Sequence, residues 1–196
     1  YNAVNFCLNE ANIGLDDIDY VSFYWDFPKH YKIRNLSWTL DEKELSKILF
    51  PKKFFDYKES PEIKFLNHHL CHAASAFRAS GFKESAILVI DGQGEIASTS
   101  LSYGHDNEII IKRIVEIPNS LGYFYEAVTS YLGFRSDDSG KTMGLAAHGK
   151  ANLNFIQFFE LTQHGYKARI PRDRIELGLD RTIDEQHQLT EFWTNR

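Results

Sequence analysis

The sequence predicts a mixed α/β chain built around a three-stranded antiparallel meander and the helix that follows it. Three observations carry that reading. Ala86-Ile-Leu-Val-Ile-Asp91 is a continuous apolar run, the pattern of a central strand buried on both faces. Ile96 to Tyr103 alternates, with Ala97, Thr99, Leu101 and Tyr103 on one face and Ser98, Ser100 and Ser102 on the other. Glu108 to Ile117 gives a third strand after a turn at Gly104-His-Asp-Asn107, and consecutive strands joined by tight turns make a meander.

The elements before the meander follow in order. Asn2 to Ile13 reads as a helix with Val4, Leu8 and Ala11 on one stripe and Gly14 as its stop. Asp19 to Trp25 is rich in aromatic and branched residues and reads as a strand that Pro28 ends. Residues 26 to 62 mix charges, aromatics and prolines and read as a peripheral insertion. They hold one helix, Asp41 to Phe50, with Asp41 as cap and Glu44 three residues on. Ile63 to Leu66 is a short strand. Asn67 caps a helix that runs to about Ser80 and stops at Gly81.

After the meander, Asn119-Ser120 starts a helix striped by Leu121, Phe124, Tyr125, Val128 and Leu132, with Gly122, Glu126 and Thr129 opposite. A glycine-punctuated segment covers Gly133 to Gly149. Asn152 to Gln163 reads as helical with Phe155, Phe158 and Phe159 on its buried side. Arg174 to Leu179 reads as a strand and Asp184 to Trp193 as a helix.

Composition excludes several classes. The 196 residues carry a formal net charge of -5, with 43% hydrophobic and 25% charged residues, which fits an ordinary globular protein. The acidic balance speaks against a general nucleic-acid binder. No apolar run approaches a membrane span, and no basic-then-apolar leader opens the chain. Only Cys7 and Cys71 are present, so a reducing, cytoplasmic setting is the default expectation. Because the chain opens on Tyr1 and closes without a stop, it is expected to be a fragment of a longer protein.

The chemistry concentrates in four segments. In Asn67-His-His-Leu-Cys-His72, His68 and His72 lie one helical turn apart on a face shared with Ser75 and Ala79. Two imidazoles so placed suit one metal ion, with a third ligand needed from elsewhere; the alternative is a hydrogen-bonded structural pair. No Glu occupies the second position of the motif, so the zinc-protease pattern fails. Cys71 reads as a small buried hydrophobe.

Asp91-Gly-Gln-Gly-Glu95 reads as a turn whose glycines let backbone amides approach an anion, with Asp91 able to hold a metal or a water; a plain hairpin is the alternative. Asp137-Asp-Ser-Gly-Lys-Thr-Met143 contains Gly140-Lys141-Thr142, yet Arg135 stands where a Walker A loop needs glycine and a helix precedes it, so it is not one. Lys141 remains a possible point charge for a phosphate, against a solvated loop. Met143 to Gly149 is small enough for a planar ring to lie against backbone, or for tight helix packing.

Taken together, His68 to Phe77, Asp91 to Glu95, Gly122-Tyr-Phe-Tyr-Glu-Ala-Val-Thr129 with Leu132-Gly-Phe134, and Gly140 to Gly149 resemble the NodU/CmcH carbamoyltransferases in order and spacing. The resemblance is close over Ile63 to Lys150. It implies the actin-like ATPase fold, two ribonuclease-H-like halves. Residues 1–84 would be the end of the first half, with the insertion at about 26–62, and 85–196 an incomplete second half.

It also implies a chemistry: transfer of a carbamoyl group from carbamoyl adenylate to an acceptor hydroxyl, with iron(II) or another divalent metal nearby. A YrdC-like domain outside this chain would make the adenylate from ATP and carbamoyl phosphate. On this resemblance His68 and His72 match metal ligands, and the third is an aspartate beyond the chain. Asp91, Gly92, Gly94 and Glu95 match the phosphate turn. Gly122, Glu126, Lys141 and Gly144 match the nucleotide cleft, and Asp180 loosely matches the acceptor pocket. With two of three ligands, weak metal binding and no activity are expected of the isolated chain. The alternatives are a non-catalytic nucleotide-binding module and a small-molecule kinase of the same fold.

Overall fold

A computed structural model describes residues 1–135, 137–152 and 154–168. The sequence-predicted strand at 174–179, helix at 184–193 and Asp180 lie outside those residues. The chain divides into two compact units, 1–71 and 72–196, with the division falling inside a helix.

The first unit holds α1 (Asn2–Ala11), β1 (Tyr20–Phe23), α2 (Phe27–Ile33), α3 (Glu42–Leu49) and β2 (Glu62–Phe65). β1 and β2 pair in parallel, Val21 opposite Ile63. The core is Leu15, Phe50, Phe55 and Tyr57, with Val4, Leu8 and Val21 packed against it. The stretch read from sequence as an insertion therefore supplies most of this core. The Tyr57 hydroxyl donates to the Phe50 carbonyl at 2.7 Å, which lets a phenol sit buried without an orphaned polar group.

Local caps explain the boundaries. The predicted box at α3 is present: Asp41 Oδ1 accepts from Glu44 N at 2.7 Å and Glu44 Oε2 accepts from Asp41 N at 3.2 Å. α1 ends earlier than predicted. Asn12, at φ 54°, takes the left-handed position expected of Gly14, and Gly14 instead caps a short 3-10 turn over Leu15–Asp17. Pro28 does more than end a strand. It sits in the first turn of α2, capped by Asp26 Oδ1 on Lys29 N at 3.0 Å, where a missing N–H costs nothing.

Helix α4 (His68–Ser80) carries the chain into the second unit, which adds β3 (Glu84–Ile90), β4 (Ala97–His105), β5 (Glu108–Glu116), α5 (Leu121–Tyr131), α6 (Ser139–Ala146), β6 (Phe159–Thr162) and β7 (Gly165–Ala168). The predicted meander is present, antiparallel in the order β3-β4-β5. Its second hairpin turns in two residues, with Asp106 at φ 49° and Arg78 of α4 donating to the Asn107 side chain at 2.8 Å.

One expectation about this sheet is corrected. Among the described residues β3 is an edge strand: Ile87 and Val89 are buried, while Leu88 is 63% and Ile90 53% exposed. A continuous apolar run does not by itself reveal which face is covered. The serines of β4 form the buried face. Ser100 pairs with Val89 and Ser102 with Ile87, on the side where Ala73 and Phe77 of α4 pack. Small side chains there leave room for the helix. Gly104 continues the same face, and a Cβ on it would meet the Phe77 ring at 2.9 Å.

α5 starts as predicted at Ser120, whose Oγ accepts from Tyr123 N at 3.0 Å. Its buried side differs from the predicted stripe. Phe124, Ala127, Thr129 and Ser130 face inward, whereas Tyr125 and Leu132 are exposed. Thr129 is tolerated inside because Thr142 of α6 donates to it at 2.9 Å.

The predicted helix at 152–163 is a 3-10 turn over Phe155–Phe158 followed by the β6–β7 hairpin. Phe158 and Phe159 pack around Phe124, one tilted and one edge-on, at 5.6 and 5.0 Å between ring centroids. Aromatic residues serve strands as readily as helices, so their spacing misleads here. Among the described residues, no helix is long and apolar enough to cross a membrane.

Candidate functional site

Asn67 sets the first turn of α4, its Oδ1 accepting from Leu70 N at 2.9 Å. One turn separates His68 from His72 on that helix. His68 is 8% exposed, and its Nδ1 lies 3.1 Å from the Tyr24 carbonyl oxygen. A carbonyl only accepts, so Nδ1 is the ring nitrogen that carries a proton in this contact. The Trp25 ring, 4.7 Å from the His68 ring, packs beside the imidazole. His72 is exposed, with Nε2 3.3 Å from Asp91 Oδ2.

Asp91 ends β3. Its Oδ1 accepts from Gly92 N at 2.6 Å, so one oxygen braces the turn while the other faces His72. His68, His72 and Asp91 each offer a donor atom, and these atoms lie within 4.8 Å of one another. Two imidazoles and one carboxylate form a donor set suited to iron(II), with coordination positions to spare. Asp91, read from the sequence as part of the phosphate turn, is the third donor of this cluster.

The turn after Asp91 is tightly braced. Asp91 N donates to the Ser98 carbonyl at 2.8 Å and Gly94 N to the Ala97 carbonyl at 2.6 Å. The amides of Gly92 and Gly94 thus have partners within the turn itself. Glu95 is 2% exposed, inside the fold. Ser120 Oγ donates to the Gly92 carbonyl at 2.7 Å and ties the start of α5 to this turn. Gly122 is required by the same approach: a Cβ there would lie 2.5–2.6 Å from the Asp91–Gly92 backbone.

A shallow cleft of about 400 Å³ opens beside the turn. Asp91, Gly92, Gly122 and Glu126, all singled out in the sequence, line it. Ile90, Tyr125, Asp137 and Ser139 complete the lining, and sequence reasoning did not single them out for it. Asp137 and Ser139 belong to the segment set aside as a failed Walker loop; the signal was there, under another heading.

Lys141 and Gly144 lie on α6 and are not among the lining residues. Lys141 Nζ is 2.8 Å from Asp138 Oδ2, and that hydrogen bond holds the Asp138 carboxyl below the usual carboxylate range. A larger cavity of about 840 Å³ lies in the first unit among Lys43, Lys47, Lys52 and Lys58 and contains none of the site residues.

Comparison with known proteins bears on this arrangement. The family model described as "Carbamoyltransferase N-terminus" matches residues 28–194. The nodulation protein NolNO of Sinorhizobium fredii is 37% identical over 195 residues, covering 93% of this chain and 28% of that protein. An uncharacterized protein of Synechocystis is 36% identical over 170 residues, covering 75% of this chain and 28% of its own length. The nodulation protein NolO of Bradyrhizobium diazoefficiens is 41% identical over 123 residues, covering 60% of this chain and 22% of its own. The chain thus spans well under a third of the length of these relatives. By that match and by its paired-histidine helix and glycine turn, the chain belongs to the carbamoyltransferase family, in the family's N-terminal region.

Proposed function

We propose that this chain is the part of an O-carbamoyltransferase that grips a metal ion and forms one wall of a nucleotide cleft. The observation that carries the proposal is the double duty of Asp91. Its Oδ2 lies 3.3 Å from His72 Nε2, and the same residue lines the cleft with Gly92, Gly122 and Glu126. A carboxylate shared by a metal grip and a cleft puts Lewis acidity beside a bound acyl phosphate.

In this reading the fold is the actin-like ATPase fold, and the cleft takes the adenylate half of carbamoyl adenylate. ATP and carbamoyl phosphate are its precursors, joined in a YrdC-like domain elsewhere in the full-length protein. The acceptor is a small molecule bearing a hydroxyl group. Iron(II), or another divalent ion, would be held by His68, His72 and Asp91; when bound it supplies Lewis-acid stabilisation of charge on an acyl oxygen. The chain's own residues do the positioning. The Tyr24 carbonyl fixes the His68 tautomer, and Gly92 N holds the second Asp91 oxygen. Gly122 lets α5 close on the turn, and Glu126 and Asp137 give the cleft an acidic rim that favours a nucleotide carried with its cation.

The test is carbamoyl transfer by the full-length protein, supplied with ATP, carbamoyl phosphate and a panel of sugar hydroxyl acceptors. Product is expected with the wild type and lost with His68→Ala plus His72→Ala. Transfer that survives the double change, or a phosphorylated acceptor formed from ATP alone, contradicts the proposal; the second outcome points to a kinase.

A further inference from the structure

Two consecutive residues after β1 meet the His68 ring. The Tyr24 carbonyl oxygen lies 3.1 Å from its Nδ1. The Trp25 ring lies 4.7 Å from the imidazole, tilted by 46°. One hydrogen bond does not fix a histidine ring, because the torsion between its sp3 and sp2 atoms is broad. A rigid surface against the ring narrows that torsion. Trp25 is itself wedged in place. Its ring meets buried His30 edge-on at 5.5 Å and Phe27 at 6.4 Å. Phe27 stacks on Trp38 at 5.4 Å, and Trp38 meets Phe65 of β2 edge-on at 6.1 Å. This aromatic cluster lies wholly in the first unit. Trp25 Nε1 is buried and, among the described residues, makes no hydrogen bond, so the indole is placed by its ring faces. A buried indole N–H usually has a partner, and leaving it without one costs stability. Core packing alone gives no reason to keep an indole there; its broad face against His68 does.

We infer that Trp25 is a positioning residue for His68: its ring fixes the imidazole plane, so that the histidine is ordered before an ion arrives. This rests on the metal grip proposed above. A ligand already locked by packing loses little freedom on binding, whereas a swinging ring must be ordered by the ion itself. Groups that orient metal ligands from behind typically carry 10–100-fold in affinity. The cluster also gives residues 26–38 a task. They back the wedge that holds His68 through Phe27, His30 and Trp38.

The test uses the full-length protein with two readouts. One is iron(II) affinity by anaerobic calorimetry. The other is the rate at which diethyl pyrocarbonate modifies His68 in the metal-free protein, followed by mass spectrometry. Trp25→Leu is expected to weaken iron binding about tenfold or more and to raise the His68 modification rate severalfold. Trp25→Phe keeps a smaller ring in the same place and should fall between Trp25→Leu and the wild type on both readouts. Phe27→Leu is the control. Among the described residues its ring meets Phe23, Trp25 and Trp38 and not His68. It should lower Tm as Trp25→Leu does and leave iron affinity near that of the wild type, a separation that a merely structural tryptophan would not show. The inference is overturned if Trp25→Leu binds iron(II) as tightly as the wild type, or if Phe27→Leu weakens binding as much. If Trp25→Leu does not fold, Trp25→Phe decides alone, and wild-type values on both readouts overturn the inference. Should the wild type bind no ion, the metal reading fails, and the modification rate still decides whether Trp25 holds His68: a faster rate in the variants supports it, an unchanged rate overturns it.

Discussion

Asp91 Oδ2 lies 3.3 Å from His72 Nε2, which joins the end of an edge strand to the exposed side of a helix. Three backbone facts hold that relationship. β3 pairs through Ile90 with Thr99, Asp91 N is anchored on the Ser98 carbonyl, and Gly92 N braces the second carboxylate oxygen. The carboxylate is therefore set by the sheet and not by a loose loop.

Gly122→Ala tests how closely α5 must approach the turn. The new Cβ would fall 2.5–2.6 Å from backbone atoms of Asp91 and Gly92, which cannot rotate away. A loss of about 1–3 kcal/mol is expected, the range for overpacking. Chemical denaturation measures it, and a stability equal to wild type would mean the helix stands off the turn.

Ser120→Ala removes a cap and a tether together. Ser120 is fully buried, caps α5 at Tyr123 N and holds the Gly92 carbonyl. The expected cost is about 1–2 kcal/mol, read as a fall in Tm. Ser120→Thr, which keeps the oxygen, should recover part of it.

Gly104→Ala drives a methyl to 2.9 Å from the Phe77 ring. It is expected to destabilise by roughly 1–3 kcal/mol. Adding Phe77→Leu, itself destabilising, should cost less on the Gly104→Ala background than on the wild type, because the two changes share one space. Strict additivity in a double-mutant cycle would show the ring is not what fills the place of a Cβ.

The Asp138–Lys141 pair predicts a pH dependence. Hydrogen bonding to Lys141 depresses the Asp138 carboxyl pKa in the folded state. Stability from a depressed carboxylate is present above its ordinary pKa and disappears as pH falls through the folded value. Lys141→Met should therefore raise the Asp138 pKa toward the ordinary range, seen by carbon-detected NMR titration. The Tm gap between variant and wild type should be present at neutral pH and close in acid. A gap that persists below the folded pKa would mean Lys141 acts by some other contact.

Much of this architecture is legible in the residues. The α3 capping box, the Asn67 cap and the Gly81 stop each follow from local chemistry, and the structure has them, whereas the alternation of β4 holds only from Ser100 onward. What was not legible depends on partners distant in sequence. Ser98, Ser100 and Ser102 look like a solvent face until α4 is laid over them. Thr129 looks polar until Thr142 meets it. The failures at 152–163 and at Pro28 have a different source: aromatic spacing does not distinguish a helix from a strand, and a proline that ends one element can open the next. For the site, the placing of His68 and His72 on one helical face was readable from their spacing, and Asp91 was visible as a strand-end carboxylate. Its placement beside His72 was not, because that needs the register of β3 against the helix.

The central claim is that His68, His72 and Asp91 hold one divalent ion, and an anaerobic iron(II) titration of the full-length protein by calorimetry tests it most directly. The account predicts one ion per chain, with affinity reduced at least about tenfold in both His72→Ala and Asp91→Asn, since even residues that only support ligands typically cost 10–100-fold. Iron binding by Asp91→Asn as tight as that of the wild type would contradict it.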